Sequence, residues 1–296
     1  MAVRKAGGLL DAHLVDGRLN VMSLCGVPLV TNGPAKTRGV AVLLTDGGRF
    51  GEDGLACKEF RSTATGAAAT HVTVDGRLKL ETEWLSDPGT GVVSRRDALV
   101  NTGSGPVTIL RCLPRVSFPT ADYEIYSQQS RWSHENQGAW QPLHAGETVL
   151  RCVWGRSAQG GTPYACIRNV RTREGLVFHV VPRGNWMIRV SVVPDNDNPP
   201  CAVVDLGLSD ENLRLKLAPG QRFALPEILI QVLPGGEPHL AAPSLHEYTL
   251  KHFFAGAKPF APIVFNTWFD QFEQLDVPRL RRQLAAAKEV GCEVFV

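Results

Sequence analysis

No run of about 18 apolar residues occurs in this 296-residue chain, so hydropathy offers no membrane-crossing helix. The amino terminus, Met1-Ala-Val-Arg-Lys-Ala-Gly-Gly-Leu-Leu-Asp11, lacks the apolar core of a secretory signal, and a cytoplasmic protein is expected. Neither charge sign dominates: Lys and Arg number 31, Asp and Glu 29, and the formal net charge is +2. That balance gives no electrostatic case for a nucleic-acid partner or a membrane surface. A Cys-x-x-Cys pair is missing as well. The seven cysteines (Cys25, Cys57, Cys112, Cys152, Cys166, Cys201 and Cys292) are odd in number and widely spaced. This favours reduced thiols packed in strands over a disulfide framework or a zinc site. No Gly-x-Ser-x-Gly elbow, phosphate loop, dinucleotide fingerprint or metal-ligand cluster is present, which removes most enzyme classes.

Helical periodicity is also almost absent between residues 19 and 240, where strand signals recur at short intervals. The 29 glycines and 20 prolines exceed the roughly 12% share usual for globular chains and suit many short strands joined by turns. Residues 40–44 form one apolar run. Residues 70–84 read as a hairpin, with Asp75-Gly76 supplying two positive-φ turn positions. Residues 92–100 and 106–113 flank Asn101-Thr-Gly-Ser-Gly105 as a second, looser hairpin. Further strands are expected at 147–154, 164–170, 176–181, 186–193, 201–206, 213–217 and 222–233. So many strands exceed a single seven- to nine-stranded sandwich, and two large stacked antiparallel sheets are the natural way to bury them.

Near Pro243 the pattern changes. Ser244-Leu-His-Glu247 has the form of a capping box and predicts a helix to about residue 254, whose His246 and His252 read as solvated or packing residues. Residues 263–265 then read as a short buried parallel strand. Asp276 is placed to cap a helix, Pro278 to occupy its first turn and Gly291 to stop it. Val277, Leu280, Leu284, Ala287 and Val290 would form one apolar stripe against a sheet, and 294–296 a second strand. One strand-helix-strand rung cannot bury itself, and a closed eight-stranded α/β barrel takes roughly 250 residues. The chain is therefore expected to be a fragment that holds only the start of such a barrel. The fold class that follows is mainly β: a large two-sheet antiparallel sandwich at 1–240, a linker helix at 241–258, and the truncated β-α-β opening of a (β/α)8 barrel at 259–296.

In a parallel barrel the site forms on loops after the strands. Asn266-Thr267-Trp268-Phe269-Asp270 is such a loop, and Trp268 would present a flat aromatic face to a ligand, or else cap the barrel core. The remaining tryptophans, Trp84, Trp132, Trp140, Trp154 and Trp186, fall in strands or at their edges, where core packing is the expectation. Asp46 and Asp53, in a Gly-rich segment, read as turn formers ahead of a carboxylate pair for acid/base work, as does Asp195-Asn-Asp-Asn198.

Asn266-Thr267-Trp268 and Gly291-Cys-Glu-Val-Phe-Val296 resemble the barrel entry of glycoside hydrolase family 36, the α-galactosidase (melibiase-like) family. Arg95-Arg96-Asp-Ala-Leu-Val-Asn101 resembles its Arg and Asn around a turn, and Trp132-Ser-His-Glu135 its Trp-x-x-Glu. Gly155-Arg-Ser157 with Thr162-Pro-Tyr164, Gly184-Asn-Trp186, Pro219-Gly220 and Pro226-Glu227 follow in the family's order. Phe269 departs from the acidic residue that usually follows the motif tryptophan. The resemblance implies an amino-terminal β-supersandwich and a retaining hydrolase acting on terminal α-linked galactose in oligosaccharides. Its catalytic carboxylates would lie beyond Val296, leaving no catalytic residue in this chain, and it would need no metal or organic cofactor. Trp268 would carry over as a substrate-binding position. An inactive fragment is implied, with an oligosaccharide as substrate of the complete protein and room for a homo-oligomer. Three alternatives stay open: a raffinose-synthase-type transglycosylase, an α-N-acetylgalactosaminidase, or a non-catalytic carbohydrate-binding β-sandwich.

Overall fold

The computed structural model describes residues 9–15, 18–30, 41–51, 54–155, 157, 160–194, 199–254 and 261–296. Asp53 and the 195–198 segment lie outside them. The chain divides into two compact units, Met1–Tyr248 and Thr249–Val296.

The first unit opens with β1 (Leu10–Val15), β2 (Arg18–Leu24), β3 (Val27–Pro28), β4 (Ala41–Thr45), β5 (Gly48–Phe50), β6 (Leu55–Ser62) and β7 (Gly66–Thr73). The chain continues through β8 (Leu78–Asp87), β9 (Val92–Asn101), β10 (Val107–Phe118), β11 (Tyr123–Arg131), β12 (His134–Pro142) and β13 (Glu147–Cys152). Next come β14 (Gly160–Asn169), β15 (Gly175–Val181), β16 (Trp186–Val193), β17 (Cys201–Leu208), β18 (Leu215–Leu217), β19 (Arg222–Ala224) and β20 (Glu227–Val232). They form two large antiparallel sheets. One runs β12-β11-β14-β15-β20-β9-β8-β7-β6 with β19 beside β9, and the other β13-β16-β17-β10-β4-β5 with β18 beside β10. A small sheet, β1-β2-β3, contributes Leu10, Leu19, Val21 and Leu24 to the same interior.

Alternation along the strands sends one side chain in two into the space between the sheets. There Phe178 and Val180 of β15 share an apolar cluster with Trp186 and Ile188 of β16 and Val204 of β17. A second cluster joins Leu78, Leu80 and Leu99 to Ile109, Cys112 and Leu217. Register places Trp84 opposite Arg95, Thr82 opposite Asp97 and Leu80 opposite Leu99. A polar row therefore crosses the interior between members of the two clusters. Arg95 donates through Nε to Asp97 Oδ2 at 2.8 Å and through Nη2 to Oδ1 at 3.2 Å. Thr82 Oγ1 donates to the same Oδ1 at 2.6 Å, and the Arg95 guanidinium lies 5.3 Å from the centre of the Trp84 ring. A buried pair bonded in this way is held by geometry, because each charge on its own would be costly.

Two expectations about turns and one about a helix start are corrected. β9 and β10 belong to different sheets, so 101–105 is a crossing between sheets and not a hairpin. Asn101 fixes the crossing by donating Nδ2 to the carbonyls of Gly105 at 2.8 Å and Leu217 at 2.9 Å. At the β7-β8 turn only Gly76 has positive φ, 72°. Asp75 acts through its side chain instead, accepting from Thr73 Oγ1 at 2.6 Å and from the Arg77 N–H at 3.1 Å. Helix α1 (Pro238–Phe253) starts before Ser244, so the proposed capping box lies inside it. Pro238 begins the helix after the positive-φ glycines Gly235 and Gly236, and Pro243 is carried in its interior. Ala241, Leu245 and Tyr248 pack against the outer face of the ten-stranded sheet through Leu233, Val177, Leu229 and Val92.

The second unit contains β21 (Val264–Phe265), α2 (Trp268–Gln271), α3 (Val277–Glu289) and β22 (Val294–Phe295). β21 and β22 pair in parallel, and their Phe265 and Phe295 rings stack 5.4 Å apart at 7°. Asp276 caps α3 by accepting the Arg279 N–H at 2.8 Å, and Gly291 stops it at φ 84°. The apolar stripe of α3 is only partly covered. Ala287 is buried and Leu280 half-buried, whereas Val277, Leu284 and Val290 are exposed, because two strands make too narrow a surface to cover them. No helix among the described residues is long and apolar enough to cross a membrane.

Candidate functional site

The loop that leaves β21 at its carboxyl end is built largely from backbone bonds. Asn266 Oδ1 accepts the Trp268 N–H at 2.9 Å, and the Thr267 N–H donates to the Val296 carbonyl at 2.9 Å. The Thr267 carbonyl in turn accepts from the N–H groups of Asp270 at 3.0 Å and Gln271 at 2.9 Å. These bonds fix the Trp268 main chain. Its indole is 44% exposed and meets Phe272 edge-on, with ring centroids 5.5 Å apart. Behind it, buried Gln271 accepts the Asp276 N–H at 3.0 Å and donates to Gln283 at 2.5 Å.

Three nearby carboxylates have structural partners. Asp270 accepts from Arg279 and Gln283, Asp276 caps α3, and Glu293 accepts the Ile263 N–H at 2.9 Å. The loop therefore offers exposed aromatic faces, those of Trp268 and Phe269, on a hydrogen-bonded backbone, and the three partnered carboxylates help hold the turn together.

In the sandwich, most of the motif residues named from sequence find one another. Glu227 accepts from Ser94 Oγ at 2.5 Å and from Arg96 at 3.1 Å. The Gly220 N–H donates to the Asn101 carbonyl at 2.8 Å. Asn185 Oδ1 accepts the Gly155 N–H at 2.8 Å, and Trp186 Nε1 donates to Ser157 Oγ at 3.0 Å. Each of these pairs ties strands or loops that are distant in sequence, so the motifs serve the fold before any chemistry. Arg95 departs from this pattern: it sits in the middle of β9, in the buried row, and not at a turn. Asp46 stands in the β4-β5 turn, where hydrogen bonds from Thr108 hold its carboxyl below the ordinary range.

Two tryptophans contradict the core-packing expectation. Trp84 and Trp186 are buried and Trp140 is half-buried under the Arg168 guanidinium at 3.5 Å, but Trp132 is 81% and Trp154 75% exposed. Trp132 occupies the two-residue loop between β11 and β12 beside Ser133, whose φ is 60°. Trp154 precedes Gly155, at φ 71°, and lines a cavity of about 290 Å³ with Gln129, Arg151, Gly160 and Gly161. The sequence carried a signal for both: each tryptophan abuts a turn residue in place of the next alternating strand position. No group of three or more His, Cys, Asp or Glu residues among those described is arranged to hold a metal ion.

Residues 57–201 match the sequence model of the glycosyl hydrolase family 36 N-terminal domain. Over that segment the chain is similar to family 36 N-terminal domains. A curated relative, the α-galactosidase AgaA of Geobacillus stearothermophilus, is 26% identical over 212 residues, covering 69% of this chain and 28% of its own length. The structure of an α-galactosidase from Lactobacillus brevis superposes with a TM-score of 0.79 at 15% identity, over 97% of this chain and 46% of that one. The Geobacillus enzyme AgaA gives 0.77 at 18% identity, over 97% and 48%, and variants of it have been solved with raffinose and with stachyose. The chain thus spans about half the length of these solved relatives. The paired Asn185–Gly155 and Trp186–Ser157 contacts fall inside the matched segment, whereas Trp268 lies outside it.

Proposed function

We propose that this chain is the amino-terminal portion of an α-galactosidase-like glycoside hydrolase that removes terminal α-linked galactose from oligosaccharides. The observation that carries this reading is the succession of a segment similar to family 36 N-terminal domains and a parallel strand-loop-helix-strand unit whose loop is Asn266-Thr267-Trp268. The same succession supports a division into a sandwich at 1–240, a linker at 241–258 and the opening of a (β/α)8 barrel at 259–296.

In this reading the reaction retains anomeric configuration. One Asp attacks the anomeric carbon, a second carboxylic acid protonates the leaving oxygen, and water then releases the sugar, with the two carboxyl groups about 5 Å apart. Both groups lie outside these 296 residues. Trp268 stacks against the sugar, its main chain held by Asn266 and Thr267. The complete protein is a cytoplasmic enzyme in this reading.

The 296-residue chain is expected to give no turnover of an α-galactoside chromogenic substrate. Turnover at an ordinary enzymatic rate would overturn the placement of the carboxylates. The codons after that of Val296 are expected to encode an acidic pair, and its absence would remove the hydrolase reading. A second reading, a carbohydrate-binding sandwich without catalysis, is favoured by the exposure of Trp132 and Trp154. Retention on a galactoside matrix that is lost in a Trp132→Ala, Trp154→Ala double variant would support it.

A further inference from the structure

On the outer face of the ten-stranded sheet, beside α1, lies a cleft of about 420 Å³, within the usual range for small-ligand sites. Its floor comes from neighbouring strands: Tyr126 and Gln128 of β11, Thr162 and Tyr164 of β14, and His179 of β15, while His246 of α1 forms part of the wall. The register places Tyr164 directly opposite His179, and the two rings meet edge-on with centroids 6.3 Å apart. Gln128 Oε1 accepts from Thr162 Oγ1 at 3.2 Å, which sets both polar groups on the cleft floor.

Two features specify the occupant. First, no Asp, Glu, Lys or Arg among the described residues lines the cleft, so a phosphate, carboxylate or ammonium would be desolvated there without a counter-charge from them. Second, His179 Nδ1 is buried with no hydrogen-bond partner among the described residues, which is uncommon for a polar atom in a folded interior. Burial also lowers the His179 pKa, so at neutral pH the ring offers one donor and one acceptor. Aromatic edges and faces beside hydroxyl, amide and neutral imidazole groups match a molecule with an apolar ring face and many hydroxyls.

We propose that this cleft binds a small, uncharged, polyhydroxylated ligand of the monosaccharide class. The cleft lies within Met1–Tyr248, so its occupancy does not depend on the role proposed for Trp268.

Calorimetric titration of the 296-residue chain with galactose, glucose and galacturonate tests this. At least one neutral sugar is expected to bind saturably at one site, with galacturonate about tenfold weaker or worse. His179→Phe and the milder Gln128→Ala should each weaken the neutral sugar by about tenfold, the scale of losing one hydrogen bond in a buried site, while thermal unfolding stays cooperative. Trp268→Ala should leave binding unchanged. The proposal is overturned by the absence of saturable binding at ligand concentrations on the order of 10 mM. Equal affinity for galacturonate, binding indifferent to both cleft substitutions, or binding abolished by Trp268→Ala would each overturn it as well.

Discussion

The two compact units treat their apolar residues in opposite ways. In the sandwich, Trp186, Phe118 and Phe178 are all fully buried between sheets that cover one another, and among its tryptophans Trp132 and Trp154 stand exposed at turns. In the strand-helix-strand unit, Phe269 is 84% and Val290 75% exposed, and Ala287 is the apolar side chain it buries fully among those described. The contrast follows from width. Two facing sheets of ten and seven strands close an interior by themselves, whereas two short parallel strands cannot cover the stripe of one helix. The sandwich is thus built to stand alone, and the terminal unit is built to be covered.

Substitutions can break this contrast at its strongest point first. Asp97→Ala would leave the Arg95 guanidinium buried without its carboxylate and is expected to cost about 3–5 kcal/mol, read as a lowered denaturation midpoint. An unchanged midpoint would mean that the row between the clusters is solvated. Leu99→Ala, inside the same interior, should cost about 2–5 kcal/mol, whereas Leu284→Ala on the exposed side of α3 should stay within about 0.5 kcal/mol. Equal effects would erase the distinction between the units.

His71 sharpens the comparison through pH. Burial first and the Arg95 charge second push its pKa down to about 4, and neither ring nitrogen has a hydrogen-bond partner among the described residues. The unfolded chain takes up this proton as pH falls through about 6.5, while the folded chain resists until about 4. The contribution is therefore fully present above pH 6.5 and lost on acidification, by about 3 kcal/mol at pH 4. In His71→Leu that part of the acid sensitivity should vanish, checked by denaturant unfolding across pH 4–7. The smallest effect is expected at the exposed tryptophans: Trp132→Ala and Trp154→Ala should each change stability by no more than about 0.5 kcal/mol. A larger loss would show that they pack.

Much of this was legible in the sequence where local chemistry decides. Strand 186–193 and the cap, proline and stop of α3 follow from alternation and from residues whose backbone preferences are strong. The sheet to which a strand belongs is not a local property. That is why β9 and β10, separated by a glycine-rich turn, read as a hairpin although they lie in different sheets. β12 escaped notice for a related reason. As an edge strand with almost every residue exposed, it has no buried face to impress a pattern on His134-Glu-Asn-Gln-Gly-Ala. Of the candidate site, the position of the Trp268 loop after a parallel strand was readable. The cleft at His179 was not, because its residues come from three strands and a helix brought together only by the fold.

Hydrogen exchange of the 296-residue chain, followed residue by residue, bears most directly on the claim that the sandwich is self-sufficient and the terminal unit needs a cover. Amides of β8, β9 and β17 are expected to exchange only through global unfolding, and those of β21 and β22 much faster, through local opening. Protection at Phe265 and Val296 equal to that at Leu99 would contradict the account.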